Sequence, residues 1–124
     1  MYYYENWDVY RAALELRDVA AKLSRKSLRG YAPDLAQLNR AASSVVVNLA
    51  EGAREQSHGR KLDRYRVTLS STSECNGVLS GLARAFRAEP LIPQGKHLCE
   101  RIAPMMTNLI RSVERNRPAP PAAS

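Results

Sequence analysis

The sequence predicts an all-α protein, an antiparallel up-down-up-down bundle of four helices. Three observations carry that prediction: apolar residues recur at spacings of three and four in four segments, helix-stopping residues lie between them, and nothing alternates with the period of two that a strand needs. Helices of about 20 residues, each about 30 Å long and joined by short connections, pack most simply side by side in alternating directions. A chain of 124 residues, 44% of them hydrophobic, is long enough to bury one core without disulfide or metal staples. Residues 1–116 therefore read as one bundle. Residues 117–124, rich in Pro and Ala and without an apolar stripe, read as a disordered tail.

In the first segment Val9, Ala13, Leu16, Ala20 and Leu23 form one face, while Asp8, Arg11, Glu15, Asp18 and Lys22 keep the same rhythm on another. This helix is expected to end near Ser24, where a basic loop runs to Pro33. The second is expected to open at Asp34, whose carboxylate caps free backbone amides while Gln37 reaches back as in a capping box. Leu35, Leu38, Ala42, Val45 and Leu49 make its stripe, but Ala41, Val46, Val47, Ala50 and Ala53 spread apolar character around most of the circumference. One core face in so short a chain cannot use all of that, so the segment predicts burial on two sides and oligomerisation through this helix. After Ser57-His58-Gly59 comes the longest segment, with Leu62, Tyr65, Leu69, Thr72, Asn76, Leu79, Ala83 and Phe86 making a bundle seam until Glu89-Pro90. Its middle, Ser70-Ser71-Thr72-Ser73, permits close helix approach and demands hydrogen-bond partners. The fourth segment starts at Ile92-Pro93 and continues through Leu98, Ile102, Met105, Leu109 and Val113, with Pro104 expected to kink it.

Cys75 and Cys99 are expected to be free thiols. With an opening Met1-Tyr2-Tyr3-Tyr4 that is unlike a signal peptide, they point to the reducing cytoplasm. The most apolar window, Ala41 to Ala50, is interrupted by Ser43, Ser44 and Asn48 and is half the roughly 20 residues a membrane span needs. No membrane partner is expected. The net charge is +7 and unevenly placed: the first 20 residues carry Glu5, Asp8, Glu15 and Asp18 against Arg11 and Arg17, so the basic excess starts at Lys22. A field of that sign suits RNA, DNA, an anionic surface or an acidic protein, and charge alone does not choose among them.

Two basic clusters are candidates for phosphate contact. Lys22, Arg25, Lys26 and Arg29 surround the first connection, and Arg54, Arg60, Lys61 and Arg64, with Arg66, surround the second connection and third helix. In an up-down bundle these connections lie at opposite ends, and a ring of subunits would repeat each patch around a rim, adding weak phosphate contacts together. Such clusters also occur simply as solvated faces. Tyr65, between Arg64 and Arg66, has the setting of a base-stacking residue, but its place on the seam assigns it to the core. No zinc-finger spacing, RNP-type aromatic motif or helix-turn-helix is present, so binding is expected to be dominated by the backbone and sensitive to salt.

Catalytic readings fit less well. A di-iron bundle uses two Glu-x-x-His pairs, whereas this chain has only His58 and His97, and His97-Leu98-Cys99-Glu100 reverses the order. His97 and Cys99, two apart on one helix, point about 200° apart, which excludes the simplest Cys-His pair. Glu51 and Glu74 have the makings of an acid-base pair between helices, but structural bonds to Arg40 or to Ser and Asn side chains account for them more simply. No phosphate-cradling glycine loop appears. The expectation is a protein without catalytic residues, metal or cofactor.

The most informative stretch runs from Gln37 to Gly52. Within it Arg40, Ser44, Asn48 and Glu51 stack along one side of an otherwise apolar helix. Arg near the start and Glu near the end are each placed against the helix dipole, so a tertiary or intersubunit partner is expected for them. The stretch resembles the four-helix-bundle family of 23S rRNA intervening-sequence proteins, whose relatives include the accessory variability determinants of diversity-generating retroelements. That family's pattern is approximately Gln-Leu-x-Arg-Ala-Ala-x-Ser-Ile-Pro-x-Asn-Ile-Ala-Glu-Gly, and here Gln37, Leu38, Arg40, Ala41, Ala42, Ser44, Asn48, Ala50, Glu51 and Gly52 match, with Val45 and Leu49 as apolar replacements. A looser likeness follows at Ser71-Thr72-Ser73-Glu74. Val46 stands where the family usually has Pro, which implies a straighter helix, and Arg64-Tyr65 replaces a more hydrophobic pair. The resemblance implies a homopentameric, barrel-like ring with a basic surface. It also implies a role like that of the retroelement relatives, which bind nucleic acid and a reverse transcriptase.

The expected function is thus a non-catalytic, basic nucleic-acid-binding or ribonucleoprotein accessory protein, cytoplasmic and homo-oligomeric. Arg40, Ser44, Asn48, Glu51 and Glu74 would organise the bundle or its subunit interface. The alternative is an oligomeric scaffold whose acidic partner is a protein.

Overall fold

The structure, a computed structural model, describes residues 2–119; Met1 and residues 120–124 of the expected tail lie outside it. A short 3-10 turn, Tyr3–Asn6, leads into α1 (Asp8–Arg25), α2 (Ala32–Arg54), α3 (His58–Ala85) and α4 (Leu91–Arg115). The described residues contain four α-helices and no strand, and residues 117–119 have no regular structure. Each helix packs on two others around one core: α1 on α2 and α4, and α3 on α2 and α4. Leu16 and Leu23 from α1, Leu38 and Leu49 from α2, Leu79 and Leu82 from α3, and Ile102 and Met106 from α4 are sealed from water there.

Helix boundaries follow local chemistry, with one correction. α2 begins two residues before Asp34, with Pro33 in its first turn, where a missing N–H costs nothing, and no side chain caps its start. Gln37 therefore does not close a capping box; its Nε2 donates to Glu74 Oε1 on α3 at 3.2 Å. α3 does have a side-chain cap, the Ser57 hydroxyl accepting from the Arg60 amide. α4 runs through Pro104, which is exposed.

The seam of α3 is also shifted. Leu62, Tyr65, Thr72 and Leu79 are buried as expected, joined by Thr68, Ser71, Cys75 and Leu82, while Leu69, Asn76, Ala83 and Phe86 are only half-buried. Three small polar residues of this seam find the partners that burial requires: Thr68 and Thr72 donate to the carbonyls of Arg64 and Thr68, at 3.2 and 2.8 Å, and Ser71 meets Ser44, whereas the buried side-chain oxygen of Asn76 has no partner among the described residues.

The apolar circumference of α2 is mostly absorbed inside the chain. Ala41, Val46 and Ala53 are buried along with the Leu35–Leu49 stripe, because α2 packs on both α1 and α3. Two-sided burial therefore does not by itself require a second subunit. What remains outside is Val47 of α2, 47% exposed, and Val67 of α3, 41% exposed. On α3 the exposed Gly77 and Gly81 have open space where a methyl group would stand, with nothing within 4 Å, so no contact inside the chain asks for glycine. Replacing both with Ala is expected to stabilise the protein by about 0.5–1 kcal/mol per site. A fall in melting temperature would show instead that a close neighbour covers this face in solution.

Candidate nucleic-acid interface

Lys22, Arg25 and Arg29 point to water because Val19, Ala20 and Leu23 claim the core side of α1. The connection then turns through Ser27 (φ 51°) and Gly30 (φ 85°); Gly30 takes this left-handed backbone without strain and leaves Arg29 outside. Lys26 is drawn aside, with its Nζ 2.9 Å from Glu89 Oε2. The Glu89 carboxylate also accepts from the Leu91 amide at 3.1 Å, so it fixes the start of α4 as well. Its bond from Lys26 first, and that from the Leu91 amide second, hold the Glu89 carboxyl below the ordinary carboxylate range. The tie is complete above that range and is lost as pH falls through the lowered value. Lys26→Ala is expected to move the Glu89 titration up toward the free-glutamate value of about 4.3, read by NMR. An unmoved titration would contradict the tie.

The same tie brings a second set of cations to this end. Tyr31 and Phe86 meet edge to face with ring centroids 4.9 Å apart, and a depression of about 660 Å³ is lined by Leu28, Arg84, Phe86, Arg87 and Glu89. Arg84 and Arg87 are exposed and extend the first cluster. Sequence reasoning missed them because they stand far along the chain. The signal was there: in a bundle of alternating helices the first and third connections share an end.

The second cluster is largely engaged in structure. Lys61 Nζ donates to the carbonyls of Gly52 and Ala53, at 2.6 and 3.1 Å, and lies 5.5 Å from the centre of the Tyr65 ring. Burial lowers its pKa, against a smaller opposing effect of Glu55. Its ammonium closes the carbonyl end of α2. Arg64 lies 3.3 Å from Glu51 Oε2 and donates to Asn48 Oδ1 at 3.2 Å. Arg66 pairs loosely with Asp63 at 3.9 Å, and the Arg54 guanidinium lies 4.3 Å over the Tyr2 ring. Arg60 is exposed and forms no ion pair among the described residues. Tyr65 is 1% exposed and belongs to the core, and its burial raises its pKa.

The polar ladder of α2 is a seam to α3. Asn48 Nδ2 donates to the Ser44 carbonyl and hydroxyl, both at 3.0 Å, Ser44 Oγ lies 2.8 Å from Ser71 Oγ, and Asn48 and Glu51 share Arg64. Along this seam residue numbers rise on α2 (37, 44, 48, 51) as they fall on α3 (74, 71, 64). Asn48→Ala removes the hub and is expected to lower stability by about 1 kcal/mol in thermal or denaturant melts. No change would show that the ladder is incidental. Arg40 is not part of it: its side chain is exposed and forms neither an ion pair nor a hydrogen bond among the described residues, so the partner expected for it is not found among them.

Both cysteines are buried free thiols. Burial, chiefly, pushes the Cys75 thiol up to about 12 and Cys99 up to about 11, so neither supplies a thiolate at neutral pH. Among the described residues no three His, Cys, Asp or Glu side chains gather as a metal site, and no helix is long and apolar enough to cross a membrane.

No family model and no curated protein matches the chain. Among solved structures it is similar to a protein of unknown function from the S23 ribosomal protein family of Bacteroides thetaiotaomicron. The likeness has a TM-score of 0.74 at 17% sequence identity and covers 83% of this chain and 98% of that one. At that identity the likeness is one of fold: an all-helical chain whose four helices share a structure with a protein named for a ribosomal family.

Proposed function

We propose that this chain is a non-catalytic, basic accessory protein that holds the phosphate backbone of RNA or DNA, needing no cofactor. The observation that carries the reading is the gathering of Lys22, Arg25, Lys26, Arg29, Arg84 and Arg87 at one end of the molecule. Asp34 and Glu89 are acids at that end, and Lys26 already neutralises Glu89. Flexible cations on helix ends suit phosphates and carry no base-reading geometry, so the ligand is recognised by charge. The opposed register of α2 and α3 supports the up-down-up-down arrangement. The family resemblance supports a ribonucleoprotein role like that of the reverse-transcriptase accessory factors, in the cytoplasm, and the S23 name of the similar structure is in keeping with it.

Assembly belongs to the same reading. A homo-oligomeric ring, pentameric by resemblance, would place several such ends around one rim and multiply their weak contacts. Exposed Val47 and Val67, with Arg40 unpartnered on α2 among the described residues, support a subunit contact on the α2–α3 face. The test is fluorescence anisotropy of labelled single-stranded RNA, duplex RNA and duplex DNA at about 50 mM salt, with the mass in solution measured alongside. Binding by a particle of several chains is expected. Failure to bind any of the three would overturn the reading and leave the basic end to an acidic protein partner.

A further inference from the structure

The opposite end of α2, about 35 Å from the basic end, carries a different surface. The 3-10 turn brings Tyr2, Tyr3, Tyr4 and Trp7 together beside the last turn of α2. Tyr2 lies parallel to Tyr4 with centroids 5.6 Å apart, Tyr3 meets Tyr4 and Trp7 edge on, and the Tyr3 hydroxyl donates to the Ala53 carbonyl. These rings are held in place, yet Tyr2 is 49% and Tyr3 60% exposed. Tyrosines fixed in this way but left open to water are unexplained by the core, to which Tyr4 alone of the three contributes a buried ring.

Beside them is a cleft of about 590 Å³ lined by Tyr4, Ala50, Glu51, Arg54, Glu55, Gln56 and Arg64. Its charges are mixed: Glu51 and Glu55 stand among Arg54 and Arg64, and Arg64 is paired with Glu51. Carboxylates in the lining make this a poor phosphate site. They suit the edge of a base, whose ring and amino N–H groups donate, while aromatic and guanidinium planes suit its faces. Arg60 stays outside, on the first turn of α3, free to meet a phosphate.

We propose that this end binds unpaired bases of a single-stranded nucleic acid, stacked on the exposed Tyr3 ring and on the Arg54 guanidinium that Tyr2 supports from beneath, with Arg60 on the backbone. The proposal rests on the nucleic-acid reading above and adds to it a second site, about 35 Å away along α2, that prefers strands whose bases are free. A duplex, with its bases stacked and paired, has no face to offer the rings. Base–aromatic stacking is worth about tenfold in affinity for each base engaged.

The test compares three ligands at one length: a single-stranded RNA, the same strand annealed to its complement, and a phosphodiester chain lacking bases. Wild type is expected to bind the single strand about tenfold or more tightly than the chain without bases, with quenching of Trp7 fluorescence. Tyr2→Ala with Tyr3→Ala should remove that advantage and leave binding of the baseless chain unchanged. Tyr2→Leu with Tyr3→Leu, which keeps apolar bulk and loses the aromatic faces, should do the same and serves if the alanine variant unfolds. Equal affinity for the single strand and the baseless chain overturns this proposal alone. A change in solution mass on substitution, without loss of the single-strand advantage, also overturns it by assigning the rings to a subunit contact. No binding of any ligand by wild type overturns both this proposal and the phosphate reading.

Discussion

Reversing Arg25, Arg29, Arg84 and Arg87 to Glu together is expected to weaken binding of RNA or DNA by at least about a hundredfold at low salt, while helicity and solution mass stay unchanged. Each lost phosphate contact gives up the counterions it would have released, and each new carboxylate adds repulsion at the same place. The four side chains are exposed and form no ion pairs among the described residues, so their reversal does not disturb the core. Anisotropy titrations with circular dichroism on the same samples check both halves. Retained affinity would remove this end as the interface. The same experiment on Lys61 and Arg64 is less informative, because Lys61 closes the end of α2 and Arg64 joins Asn48 to Glu51, so lost binding there would mix with lost structure.

Gly52→Ala is expected to destabilise the protein by about 1–2 kcal/mol net, because forcing an extra carbon into a site this tightly packed costs toward the upper end of the usual range of about 1–3 kcal/mol. A methyl group at Gly52 would lie 2.6 Å from Tyr65 Cε1 and 3.1 Å from Arg64 Cβ, and Tyr65 is buried with nowhere to swing. The gain in helix propensity from Gly to Ala, about 1 kcal/mol, offsets only part of that. The Gly52 carbonyl also receives Lys61, so displacement of the backbone here would loosen the join between α2 and α3. Denaturant melts measure the effect, and a variant as stable as wild type would show that Tyr65 moves freely. The contrast with Gly77 and Gly81, where the same change is expected to stabilise, makes the pair of measurements a direct test of the packing.

Much of the fold was legible because helical periodicity is a local signal. The four segments, the core position of Tyr65 and the need of Ser71 and Thr72 for partners follow from residue type and spacing. What was not legible depended on which helix lies beside which. Asp34 and Gln37 have the spacing of a capping box, yet Gln37 is taken by Glu74 from another helix. The apolar circumference of α2 suggests a second subunit only while α1 and α3, which cover most of it, are out of view. At the candidate interface the same limit applies. Lys22, Arg25 and Arg29 cluster in sequence, whereas Arg84 and Arg87 join them only through the Lys26–Glu89 tie and the Tyr31–Phe86 contact. Lys61 has the sequence setting of a surface charge, but its neighbours are carbonyl oxygens. The N-terminal tyrosines carry no motif at all, and gain meaning only from their place beside Arg54.

The central claim is that phosphates are held by the cations gathered around the first and third connections. The most direct measurement is the salt dependence of wild-type affinity for a labelled RNA between about 50 and 200 mM, plotted as log K against log salt. With Lys26 held by Glu89, the other five cations engaging phosphate predict a steep fall of about several hundredfold over that range. Affinity that is absent at the lower salt, or that stays flat across the range, would contradict the claim.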